Sequence, residues 1–162
     1  MINECPSHLW RHPTRSAIDS LAKRFDLPND EKMQDWEYEV ADPDRVAEFI
    51  DAYKSGELSE DERFTIMETI IQSFEDQEKP LEENKEWQEV LRLIEINLDL
   101  HICTVWYWSL VEDEPKDKSE WWKVTPFIRP ILARNCYKYT EQDVHSRIHS
   151  SLHEEYAADT EQ

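Results

Sequence analysis

Only one glycine, Gly56, occurs in the 162 residues of this chain. Phosphate-cradling loops and the turns of dinucleotide-binding folds need several, because the backbone there must approach a ligand or take positive φ. Nucleotide-binding enzymes of those classes are therefore excluded. Tight hairpins consume Gly as well, often as Asn-Gly or Asp-Gly, so the same scarcity argues against a hairpin-rich all-β fold. A mainly helical chain is left. Seven Trp, six Tyr and five Phe, with many Ile, Leu and Val, supply the apolar area that disordered acidic chains lack. The length suits one domain, residues 1–162, with a core that needs no disulfide or metal staple.

Charge is the second constraint. Asp and Glu number 37 against 18 Lys and Arg, for a formal net charge of -19. A field of that sign repels phosphate backbones and anionic membranes and attracts basic surfaces. The imbalance exceeds what solubility asks for, so a basic protein partner is expected, with no direct nucleic acid and no membrane. The first residues, MINECPSHLWRHPTR, hold no apolar segment of signal-peptide type, and no run of 18 apolar residues occurs. Cys5, Cys103 and Cys136 are odd in number and widely spaced, which fits reduced thiols. The expected location is cytoplasmic.

Local signals mark the helices. Pro13 and the stripe Ile18, Leu21, Ala22 and Phe25 predict a helix over 14–25, ended by Leu27 and Pro28. Around Trp36, Tyr38 and Val40 the pattern fits a short helix or an extended connector. Asp42 as N-cap, Pro43 in the first turn and Gly56 past the end bracket a helix carrying Val46, Phe49, Ile50 and Tyr53. Ser59-Glu60-Asp61-Glu62 is a capping box for the next helix, whose stripe is Phe64, Met67, Ile70, Ile71 and Phe74.

Two templates compete from Leu81 to Glu114. Ile94, Ile96, Leu98, Leu100 and Ile102 alternate with polar residues as in a strand. Helical spacing accounts for more positions: Trp87, Leu91, Ile94, Leu98, Ile102, Val105 and Trp108 form one stripe, and Leu93, Ile96, Leu100, Cys103, Tyr107 and Leu110 a second. Two stripes predict a central helix over 85–110, packed on both sides and broken near Asn97. Thr125 is the expected cap of a helix that Pro130 limits or bends. A last helix is expected from Thr140 through Val144, Ile148, Leu152 and Tyr156, with 157–162 frayed. The predicted fold is all-α: about seven short helices in antiparallel pairs, as a bundle or a small α-superhelix of helix hairpins.

No catalytic signature accompanies this fold. His145, His149 and His153 recur at helical spacing, where a neighbouring pair can chelate Zn(II), but eight residues climb about 12 Å, too far for three imidazoles on one ion. Neither interval contains the Glu of a zinc-protease motif, and a polar flank beside the apolar stripe is the simpler reading. His101 and Cys103 could form a base and a thiol nucleophile on a strand. On a helix, residues two apart point about 200° away from each other. Acidic clusters stand at Asp35, Glu37 and Glu39, at Glu60, Asp61 and Glu62, and at Glu112, Asp113 and Glu114. Trp36 and Tyr38 lie within the first, and Trp121 and Trp122 follow the last. Aromatic anchors ringed by acids suit the capture of a basic protein, Trp for buried area and acids for steering. The alternative is that these Trp plug the core beneath loops.

The order WEYEVADPDRVAEFIDAYKSGELSEDERFTIMETIIQSFED, EWQEVLRLIEIN, HICTVWYW and VTPFIRPIL, across residues 36 to 132, resembles small helical bacterial proteins that include immunity proteins of polymorphic and contact-dependent toxin systems. The resemblance implies a non-enzymatic protein that binds a cognate basic toxin domain, a nuclease in many cases, and occludes its active site. It carries over no catalytic residue, metal or cofactor. A helical scaffold or regulatory protein-binding domain unrelated to toxins is the competing expectation.

Overall fold

The computed structural model describes residues 4–139. The predicted helix from Thr140 and the three histidines on it lie outside the described residues. Those described contain helices and turns and no strand, as the lone glycine and the helical stripes require. The strand reading of 94–102 is thereby removed.

Helix α1, Arg15–Phe25, starts where Thr14 accepts a hydrogen bond from the Ala17 amide and ends at Asp26, whose φ of 52° caps it in the left-handed region. The ambiguous segment is a single short turn, α2, Trp36–Glu39. Asp42 caps as expected, but Pro43–Arg45 makes a 3₁₀ turn before α3, Val46–Lys54, begins. Gly56, at φ +77°, carries the chain to Ser59, whose Oγ accepts from the Glu62 amide and starts α4, Glu60–Glu75.

Helix α4 is the centre of the fold, with α1, α2, α3 and the later helix Leu98–Trp108 packed on it. This corrects the expectation that 85–110 would be the central helix. Every residue from Phe64 to Phe74 except Gln72 is buried. The threonines and the serine among them are tolerated because their hydroxyls meet acceptors. Thr69 Oγ1 donates to the Glu37 carbonyl across 2.7 Å, and Ser73 Oγ donates to the Thr69 carbonyl while accepting from the Asp42 amide. These hydroxyls fix α2 and the entry to α3 against the core.

The run 85–110 divides into α5, Lys85–Ile96, and α6, Leu98–Trp108. At the joint, Asn97 Nδ2 bonds the Leu93 carbonyl that its own amide also reaches, at 2.8 and 3.2 Å. Of the two predicted stripes, the first is buried except for a half-buried Leu91. The second is not: Ile96 is 63 % and Tyr107 48 % exposed. His101, Thr104 and Trp106 are buried on α6 as well, while the first stripe stays buried on both sides of the break at Asn97.

Helix α7 covers residues 125–139. Thr125 is not its cap: the Glu75 carboxylate, at the end of α4, accepts from the Lys123 and Val124 amides at 3.0 Å each. Thr125 Oγ1 instead donates to the Trp108 carbonyl. Pro130 lacks an amide to give to the preceding turn, yet the helix continues through it to 139.

Candidate functional site

Helix α4 places Glu68 on its buried face, four residues after Phe64 and three before Ile71, with the side of α6 opposite. The carboxylate receives Thr104 Oγ1 at 2.5 Å, Trp108 Nε1 at 2.8 Å and Tyr38 Oη at 3.3 Å. Thr104 and Trp108 reach it together because they stand one turn apart on α6. All three donors are neutral, and no ion pair to Glu68 forms among the described residues. Burial pushes its carboxyl up to about 7, the bonds from Thr104 and Trp108 pull the other way, and the field of Glu37 adds to the rise. Glu37, itself buried, is raised for the same first reason.

A cleft of about 310 Å³ opens above this carboxylate. Tyr38 and Tyr107 form one wall, their rings stacked at 6.1 Å and 13°. Asp35 and Glu37 stand beside them, and Cys103 and Thr104 lie along α6. The N-terminal segment also lines the cleft, through Arg11, His12 and Pro13. That segment is fastened by the Cys5 amide, which donates to Glu112 Oε1 at 2.7 Å, and by Arg11, which pairs with Asp61 at 2.9 Å.

Tyr107 also borders a second depression, of about 320 Å³, shared with Trp122, Glu112 and Asp113. Trp122 packs on both Tyr107 and Trp108, at 5.1 and 4.8 Å. Tyr38, Tyr107 and Trp122 thus form one aromatic ridge with carboxylates on both sides. The two sides come from segments far apart in sequence, residues 35–37 and 112–113, and the exposed Tyr107 joins them.

The predicted site residues divide accordingly. Asp35, Glu37 and Tyr38 meet at the first cleft, and Glu112, Asp113 and Trp122 at the second. Trp36 does not belong to a surface: it is 2 % exposed and donates from Nε1 to the Pro28 carbonyl at 2.7 Å. Its place among acids reflects the other face of a four-residue helix. Glu39 accepts from the Gln34 and Asp35 amides at the start of that helix. Glu60 and Asp61 hold Arg11, Glu62 accepts from Ser20, and Glu114 pairs with Arg129 at 3.1 Å. Trp121 has the Arg129 guanidinium over its ring, 4.2 Å from the centroid.

His101 and Cys103 part company on α6. His101 is wholly buried, its Nε2 2.7 Å from Tyr53 Oη, and burial holds its imidazole down to about 3, with Arg63 and Arg11 acting the same way. It is neutral and structural. Glu68 and Tyr107 escaped sequence reasoning. The one available signal was a glutamate set within the apolar arc of α4. No group of three metal-ligating side chains occurs among the described residues. No family model, no curated protein and no solved structure matches the chain.

Proposed function

We propose that this protein is an inhibitory binding protein of the immunity type, which docks its acid-flanked aromatic ridge on a basic toxin domain and covers the toxin's active site. The observation that supports the reading is Tyr107, a large aromatic 48 % exposed between two clefts, with Asp35 and Glu37 on one side and Glu112 and Asp113 on the other. An exposed ring at the centre supplies contact area, and surrounding carboxylates on a chain of net charge -19 draw in a cationic partner. In this reading the protein performs no chemistry and acts from the cytoplasm. Among the described residues no helix is long and apolar enough to cross a membrane. Glu68 supports the ridge from beneath by holding Tyr38 and Trp108.

The test is coexpression with the product of the reading frame adjacent to its gene. The expected results are rescue of growth, an isolable complex, and an association rate that falls several-fold between low salt and 0.5 M salt. Tyr107→Ala should speed dissociation, whereas Asp35→Asn and Glu112→Gln should chiefly slow association. Absence of a complex at low ionic strength would end the proposal.

A further inference from the structure

A cleft of about 520 Å³ opens where the turn joining α3 to α4 meets the end of α5. Tyr53 and Lys54 line it from α3, Gly56 and Leu58 from the turn, Arg63 from α4 and Leu93 from α5. Among the described residues, no carboxylate lines it, although the chain has 37 acids against 18 Lys and Arg. It shares no residue with the two clefts of the aromatic ridge.

Arg63 sets this cleft apart. Of the eight arginines among the described residues, seven meet a carboxylate oxygen at 2.6–3.1 Å. Arg63, half-buried, meets none among them. Its guanidinium lies over the Tyr53 ring, 5.9 Å from the centroid, and that ring is fixed at its far end, where Oη stands 2.7 Å from His101 Nε2. The carboxylates close to it in sequence are engaged elsewhere: Glu57 with Arg24 at 2.6 Å, Glu62 with Ser20 at 3.2 Å. Lys54 is only loosely paired. It reaches Glu89 at 3.5 Å, while Arg92 holds the same carboxylate in a fork at 2.7 and 2.9 Å. A guanidinium drawn partly out of water with no acceptor is costly, and two cations lining one cleft repel each other. A bound anion removes both costs.

We propose that this cleft binds a small organic phosphate, with the phosphate on Arg63 and Lys54 and the apolar body against Leu58, Leu93 and Tyr53. A guanidinium offers parallel donors to a phosphate or a carboxylate, and an ammonium adds a point charge. A phosphate monoester suits two cations better than a carboxylate does, because it carries about 1.5 to 2 negative charges at neutral pH and three acceptor oxygens. Leu58 and Leu93, 7 % and 6 % exposed, give the rest of the lining an apolar character, and the volume falls in the range of small-molecule sites, about 300–1,000 Å³. Side chains supply the cations, so no glycine-rich loop is required. The net charge of -19 and the negative ends of α3 and α5 oppose an anion, so affinity rests on Arg63 and Lys54. The inference needs no partner protein and stands or falls without a toxin.

The test is an NMR titration of the full, isotope-labelled chain with phenyl phosphate up to about 10 mM. The expected result is a saturable shift of the Gly56 and Leu58 amides and of the Arg63 Nε–H. Inorganic phosphate, which lacks the apolar body, and benzoate, which carries one charge, should each bind several-fold more weakly. Arg63→Gln should weaken phenyl phosphate binding about tenfold and Lys54→Gln several-fold, whereas Arg15→Gln, a cation on α1 outside the cleft, should leave it unchanged. The shift pattern of the unsubstituted protein locates the site whether or not the variants fold. Shifts centred away from Arg63, no saturable shift at all, undiminished affinity in a folded Arg63→Gln protein, or inorganic phosphate or benzoate binding as tightly as phenyl phosphate would each overturn the proposal.

Discussion

Trp108 and Glu68 share a hydrogen bond of 2.8 Å, from an indole that is 2 % exposed to a carboxylate that is 4 % exposed. It ties α6 to α4 at the depth where neither group can turn to water. A buried acceptor deprived of its donor costs about 1–3 kcal/mol, more when charged. Trp108→Phe keeps most of the ring and removes the donor. Its loss of stability should therefore be larger at pH 8, where Glu68 is charged, than at pH 5, where it is protonated. Urea unfolding at the two pH values measures this, and equal losses would show that packing alone is at stake.

Glu68 and His101 pull the pH dependence of stability in opposite directions. The folded state raises Glu68 from 4.5 to about 7, so its contribution is full below pH 4.5 and is lost as pH rises through 7. His101 is lowered from 6.5 to about 3, so its contribution is full above pH 6.5 and is lost as pH falls toward 3. Between about pH 4.5 and 6.5 the two slopes oppose each other. Glu68→Gln removes the first: its stability relative to the parent should climb by roughly 3 kcal/mol from pH 4.5 to 7.5. His101→Gln should show the reverse, with its deficit narrowing as pH falls below 6.5. A series of urea midpoints across this range checks both, and a flat Glu68→Gln difference would mean that the carboxylate is charged throughout.

The parts of this fold legible in the sequence are those written within a turn of chain. Thr14, Asp42 and Ser59 each cap an amide two or three residues on, and such bonds depend only on local order. Burial depends on what arrives from elsewhere. Thr104 and Trp108 meet Glu68 across 36 and 40 residues, so an acid that reads as surface becomes a core acceptor. Glu75 reaches 48 residues to displace Thr125 as the cap of α7, a substitution no local motif announces. The candidate site was half visible for the same reason. Asp35, Glu37, Tyr38, Glu112, Asp113 and Trp122 are legible from their chemistry, but Tyr107, which joins them, sits at a position whose spacing reads as a buried stripe, and its exposure between the two clefts depends on what packs from elsewhere.

Among the contacts that hold α7 to the helices beneath it, two should respond differently to salt. Arg134 meets Glu95 through Nε and an Nη at 3.1 and 2.9 Å, with both side chains partly exposed. Tyr139, 6 % exposed, donates to Asp99 at 2.8 Å. An exposed pair of the first kind contributes about 0.5 kcal/mol and is screened, whereas a largely buried hydroxyl bond to a carboxylate contributes roughly 1–2 kcal/mol. Glu95→Ala should therefore cost little, and less still in 1 M sodium chloride, while the larger cost of Tyr139→Phe should persist. Urea midpoints at 0.05 and 1 M salt distinguish them. If the two variants respond alike, the division between screened and buried contacts at this junction is wrong.

Gly56 and Asp26 end helices under the same backbone demand, with different residues. Gly56 takes φ +77° with nothing within 4 Å of where a Cβ would stand, and Asp26 takes φ 52° at the end of α1. The open space at Gly56 means that substitution there meets no clash, so its cost is the left-handed backbone alone, about 1 kcal/mol for alanine. Gly56→Ala should lower stability by that amount, and Gly56→Asn by less, since Asn tolerates the conformation. Asp26→Gly relieves the same strain but loosens the unfolded chain, so the two effects oppose and a gain of at most about 0.5 kcal/mol is expected. Thermal and urea unfolding of the three variants reads the order directly. A Gly56→Ala protein as stable as its parent would show that the α3–α4 turn has a second conformation open to it, and that the chain's one glycine is not required there.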